Sequence, residues 1–118
     1  MSYMLLIMEP IGQRQERGRA AGEHAYQRMG EFAADLQRRG LLEGVNSLAS
    51  TGKAVRLQMR EGRPSLVDGP FAEAKEMVVG YFLLNCKTRD EAIAIAQQCP
   101  AAEWATVEVR AVGPCYED

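Results

Sequence analysis

An α+β fold is predicted for this chain by three features: a continuous apolar run of strand length near its start, two well-separated amphipathic helical stripes, and several segments with strand periodicity between and after them. At 118 residues and 47% hydrophobic content, the chain fits a single domain over residues 1–118 with one packed core.

The elements follow in order. Tyr3 to Met8 is apolar throughout, which suits a strand covered on both faces, and it ends at Pro10. Ile11 to Gly22 is polar and contains glycine, with Arg14, Arg17 and Arg19 offset by Glu16, so a solvated loop or a ragged helix start is expected. From Glu23 to Arg39, Ala25, Met29, Phe32 and Leu36 recur at helical spacing, joined by Tyr26 and Ala33; Arg38, Arg39 and then Gly40 mark the end. Leu41 to Ala49 reads as a second strand, weakened by Gly44 and Asn46, and Ser50 to Lys53 supplies turn chemistry. Ala54 to Arg60 alternates, with Val55, Leu57 and Met59 on one side. Glu61-Gly62 then reads as a hairpin turn into a short strand, Pro64 to Val67.

Glu76 to Cys86 is apolar on both faces, with Val79, Tyr81 and Leu83 on one and Val78, Phe82 and Leu84 on the other. Thr88 opens a capping box with Glu91, and Ala92, Ile95, Ala96 and Cys99 form the second helical stripe, ending before Pro100. Thr106 to Val112 alternates again and makes the last strand. The order matches a ferredoxin-like βαββαβ sandwich with an inserted hairpin. Two helices cover one face of such a sheet. The doubly apolar strand from Glu76 to Cys86 therefore predicts a homodimer in which a second copy covers the open sheet face.

Composition excludes some functions. With 14 basic and 16 acidic side chains the net charge is −2, which argues against nucleic acid as the main partner. The N-terminal apolar run is too short for a membrane span and lacks the basic flank of a signal peptide, so no membrane association is expected. Three cysteines, Cys86, Cys99 and Cys115, without CxxC spacing, point to no disulfide framework and no zinc site, and place the chain in the reducing cytoplasm. No cofactor is expected. Cys86 and Cys99 fall on core-facing positions, and Cys115 lies in the tail.

The segment between the hairpin and the long strand holds the strongest motif. Asp68 can bond backbone amides ahead of it, Gly69 allows positive φ, Pro70 stiffens the turn, and Phe71 anchors the loop. Arg63, Asp68, Glu73, Lys75 and Glu76 crowd this stretch, and beside an aromatic ring they form a candidate ligand pocket from Gly69, Pro70, Phe71, Glu73, Lys75 and Glu76.

Asp68-Gly69-Pro70-Phe71-Ala72-Glu73, continued by Lys75-Glu76, resembles the signature of the YCII-related family, also described as DGPF-domain proteins. The likeness extends through Tyr3-Met4-Leu5-Leu6-Ile7, Met29-Gly30-Glu31-Phe32, Val55-Arg56-Leu57, Cys99-Pro100-Ala101-Ala102 and Val107-Glu108-Val109-Arg110. Ala74 stands where Thr or Ser is common, Val79-Gly80 replaces a frequent Gly-Gly, and Ala111 replaces a usual Pro. The resemblance implies a dimeric α+β barrel of ferredoxin-like subunits. It also implies a His and Asp pair as the site of chemistry, and His24 is the single histidine, so His24 as acid-base with Asp68 as its orienter is the expected dyad. Three functions follow as expectations: an enzyme acting on a small polar or aromatic molecule, a non-catalytic small-ligand binder, or a regulatory interaction module, since relatives occur beside sigma-factor-like transcription proteins.

Overall fold

The computed structural model describes residues 2–117. Six strands and three helices follow the expected order: β1 (Tyr3–Pro10), α1 (Gln13–Arg17), α2 (Arg19–Arg38), β2 (Leu42–Ser47), β3 (Val55–Arg60), β4 (Arg63–Asp68), β5 (Glu76–Leu84), α3 (Arg89–Gln97) and β6 (Thr106–Ala111). Four strands form one antiparallel sheet in the order β2-β5-β1-β6, and β3 with β4 form a separate hairpin. The fold is ferredoxin-like α+β, with the hairpin inserted between the second and third strands of the main sheet. No helix among the described residues is long and apolar enough to cross a membrane.

Local chemistry sets the element ends. Gly18, at φ 81°, ends α1 and begins α2, so α2 starts four residues before the expected Glu23, and of the two readings of Ile11 to Gly22, solvated loop or ragged helix start, the segment is mostly helical. At the other end Gly40 takes φ 71°, its N–H donates to the Gln37 carbonyl at 3.1 Å, and the Leu41 N–H donates to the Leu36 carbonyl at 2.9 Å. This is a Schellman stop. The Thr88 hydroxyl caps α3 by accepting from the Glu91 N–H at 3.2 Å, while the Glu91 carboxylate reaches back to the Lys87 N–H at 2.8 Å, one residue before the usual capping-box partner. Glu61 and Gly62, at φ 53° and 77°, form the two-residue hairpin turn.

Alternation along β1 sends Leu5, Ile7 and Glu9 toward the helices and Met4, Leu6 and Met8 toward the open face. Leu5, Ile7, Phe82 and Leu84 meet Phe32 and Leu36 of α2 and Ala92 and Ile95 of α3 to make the core, with the Phe32 and Phe82 rings edge-on at 5.2 Å.

The expected face assignment along β5 fails at two residues, Val78 and Val79. Ile7 pairs with Gly80 but Met8 pairs with Val78, so Val79 is an extra residue in the ladder. That bulge turns Val79 toward the helices, where it packs on the core, and leaves Val78 with Tyr81 and Leu83 on the open face. The bulge also lets β2 approach closely: a Cβ on Gly80 would lie 2.8 Å from the Asn46 carbonyl oxygen.

Candidate functional site

A cavity of about 870 Å³ lies on the helix side of the sheet, between α2 and the β5-β2 edge. It exists because α2 carries small residues along the face that borders it. Gly22, Ala25, Gly30 and Ala33 face it, and a Cβ built on Gly30 meets no atom within 4 Å. A helix-interior glycine costs about 0.5–1 kcal/mol relative to alanine. Across from α2 stand Val45 and Ser47 of β2 and the bulged Val79-Gly80, and Tyr26, Met29 and Trp104 add larger walls. The apolar stripe expected on α2 is thus split: Phe32 and Leu36 are core, whereas Ala25 and Tyr26 border open space, Tyr26 at 68% exposure.

One end of the cavity is polar. The inward parity of β1 carries Glu9 to a position only 3% exposed, the single buried charged residue in the described core. Arg14 Nε lies 3.4 Å from Glu9 Oε1, and Arg17 Nη2 lies 3.6 Å from Glu9 Oε2. Both separations exceed hydrogen-bond length, so charge rather than shared protons holds the cluster. Among the described residues Glu9 Oε1, Arg17 Nε and Arg17 Nη1 find no hydrogen-bond partner. Arg14 also donates from Nη2 to the Leu48 carbonyl at 2.8 Å, and Gln13 donates from Nε2 to the Trp104 carbonyl at 2.6 Å. These bonds tie α1 to the loop after β2 and to the turn before β6. The solvated role expected for Arg14 and Arg17 is therefore corrected: their side chains are 30% and 20% exposed, because α1 folds them back over the end of β1.

The residues read from the sequence as site candidates lie elsewhere. His24 is exposed on α2 and Asp68 is exposed at the end of β4; among the described residues neither side chain makes a hydrogen bond or ion pair, and neither lines the cavity. The Asp68-Gly69-Pro70-Phe71 segment is built into the base of the hairpin. The Gly69 N–H donates to the Ala54 carbonyl at 2.8 Å, and a Cβ on Gly69 would lie 1.7 Å from the Thr51 carbonyl oxygen, so glycine is required here by close approach of backbone and not by the positive φ expected of it. The Gly69-Pro70 bond is cis. Phe71 is buried, with the Arg56 guanidinium 3.7 Å above its ring, and Arg56 Nη1 lies 3.3 Å from Glu73 Oε1. Glu73, Lys75 and Glu76 are exposed, and the Lys75 carbonyl accepts from the Ile11 N–H at 2.9 Å. No group of three or more His, Cys, Asp or Glu among the described residues is placed to hold a metal ion.

Nothing in the sequence reading pointed to Glu9, Arg14 and Arg17. The signal was present: Glu9 continues the inward alternation of Leu5 and Ile7, and a carboxylate in that register needs cationic partners.

Fold and cavity together define a small ferredoxin-like α+β domain with an inserted hairpin and a ligand-sized hollow beneath its long helix. The chain belongs to the YCII-related family, whose domain model matches residues 1–115. It is also 37% identical over 67 residues to an uncharacterized protein of Rhizobium meliloti (strain 1021), a match that spans 57% of this chain and 54% of that protein.

Proposed function

We propose that this YCII-related protein binds a small molecule in the cavity beneath α2 and works as a homodimer. The observation that carries the reading is the cavity itself. Its volume of about 870 Å³ falls in the range of small-molecule sites, its walls are mostly apolar, and its polar groups gather at one end. Binding rather than catalysis is the activity the geometry supports, because the one buried carboxylate is engaged by two arginines.

The dimer rests on surfaces that one copy leaves uncovered. Met4, Leu6, Met8, Tyr81 and Leu83 make an apolar band on the open sheet face, and Val55, Leu57, Met59 and Leu66 of the hairpin are more than half exposed. An isolated two-stranded hairpin is marginal in water, so a second copy is the natural cover for both. The Cα radius of gyration, 16.1 Å, exceeds the roughly 13.5 Å typical of a compact chain of this length, as a projecting arm requires.

Gly30→Leu tests the ligand site. The new side chain enters free space, so helix stability is kept or improved while the cavity is filled. Ligands found by a thermal-shift screen on the wild type should fail to shift the variant; equal shifts in both would sink the reading. For the dimer, Leu6→Glu should convert the species seen by light scattering to a monomer, and a wild type that is already monomeric at micromolar concentration refutes it.

A further inference from the structure

We infer that the ligand of this cavity is a small organic anion, an apolar body ending in one carboxylate, held by Arg17 and Arg14 at the N-terminus of α2. The inference rests on the reading of the cavity as a ligand site and adds the charge of what it takes.

Three independent features meet at one end of the hollow. The first is charge balance. Glu9 faces two guanidiniums, and the neighbouring Arg19 is already paired with Glu23 at 3.0 Å, so the cluster keeps one positive charge unmatched at the end of an apolar space. The second is unspent hydrogen bonding. Arg17 leaves Nε and Nη1 without partners although its side chain is only 20% exposed, and buried N–H groups in that condition are costly. Glu9, with its side chain 4% exposed, borders the same space; its unpartnered Oε1 is an acceptor that stays on the Arg14 side at 3.4 Å, and of the two only the Arg17 N–H groups are free to receive an anion. Its two contacts, at 3.4 and 3.6 Å, are loose enough for a guanidinium to turn one edge toward an incoming group while keeping the other on Glu9.

The third feature is the helix. α2 is 20 residues long, its N-cap is Gly18 with no side-chain cap, and it has no acidic residue in its first turn. Gly18, Arg19 and Gly22 all border the cavity, so the uncapped N–H groups and the positive end of the helix dipole act on the same region as Arg17. A carboxylate there satisfies helix and guanidinium together. A cationic ligand would meet two guanidiniums and a helix N-terminus to reach one carboxylate. Glu9 is thus a positioning residue that sets the arginines. The apolar body of the ligand lies along Met29, Val45, Phe82 and Trp104.

The test is isothermal titration of the full-length chain near neutral pH with three matched sets: cinnamate, octanoate and naphthoate, each against its primary amide and its amine. The best carboxylate should bind at least about tenfold more tightly than its amide, the size expected for one charge-assisted contact, and the amine should bind more weakly than the amide. Arg17→Gln should erase most of that acid-over-amide preference, and Arg17→Lys should keep part of it; the wild-type comparison stands even if a variant does not fold. Amide and acid binding equally, or the amine binding best, overturns the anion inference while the cavity reading survives. If no member of the panel binds, both fail.

Discussion

Gly69→Ala is the substitution that asks whether the family tetrapeptide is architecture. The added Cβ would sit 1.7 Å from the Thr51 carbonyl oxygen and 2.8 Å from its carbon, both backbone atoms that cannot rotate away. Reaching even a 3.0 Å approach requires the loop and the Thr51–Lys53 turn to part by at least about 1.3 Å. That movement breaks the Gly69 N–H bond to the Ala54 carbonyl, worth about 1 kcal/mol, and adds an overpacking cost of about 1–3 kcal/mol. The lower conformational freedom of alanine in the unfolded chain offsets roughly 0.4–1 kcal/mol of this. The net destabilisation is about 1–3.5 kcal/mol, or a fall in Tm of roughly 4–14 °C for a domain of this length. Thermal melts and urea titrations at matched protein concentration measure it. Gly52→Ala is the control, because its Cβ would meet only the Ser50 hydroxyl at 3.5 Å, and it should shift stability by less than about 0.5 kcal/mol. A Gly69→Ala protein melting within about 2 °C of wild type would show that the hairpin base slides freely, and the packing account of the motif would be lost.

Other outcomes follow from the same structure. Leu36→Ala, at a fully buried core position between α2 and the sheet, should cost about 2–5 kcal/mol in urea unfolding, whereas the exposed Leu57→Ala should cost far less in a chain held monomeric. Burial pushes the Cys86 and Cys99 thiols up, so a disulfide reagent at neutral pH should label exposed Cys115 quickly and the other two only on unfolding. Arg28 donates to both Glu103 carboxylate oxygens, at 3.0 and 2.5 Å, and these bonds hold the Glu103 carboxyl below its ordinary value of 4.5. The unfolded chain therefore binds the proton more readily. The stabilisation is present above pH 4.5 and is lost as pH falls through the lower folded value, so the Tm difference between wild type and Glu103→Gln should shrink on acidification.

The difference between what could and could not be read from sequence has a physical cause. Elements were legible wherever one period dominated: Thr88 and Glu91 announced α3, Gly40 announced the end of α2, and Glu61-Gly62 announced the hairpin. Each is a local signal whose partners lie within a few residues. The bulge at Val79 was illegible because the apolar residues of β5 fit either face until a register with β1 is imposed. The cavity was hidden for a related reason. Periodicity says which face of α2 points inward, and it does not say whether the sheet opposite rises to meet it. Ala25, Ala33 and the glycines at 22 and 30 are what a tightly packed helix would use, and equally what a helix standing off from an edge strand would use. Only the placement of β2 at the sheet edge decides for the second.

The polar end shows how the two scales combine. Arg14 and Arg17 read as solvated because charge near glycine commonly is; the fold overrides this by bringing α1 across the end of β1, where Glu9 already faces inward. A buried carboxylate alone would be costly, and one arginine would neutralise it. Each arginine faces its own oxygen of Glu9, yet together they exceed its charge by one, and the uncapped start of α2 beside them deepens the same imbalance. A surplus positive charge at the end of a ligand-sized space is most simply met by an anion from outside the chain. Arg17→Gln therefore separates the two accounts by a second route: if the surplus charge serves a ligand, the variant should lose carboxylate affinity with little loss of Tm. A large fall in Tm with unchanged affinity would make Arg17 a structural partner of Glu9 and nothing more.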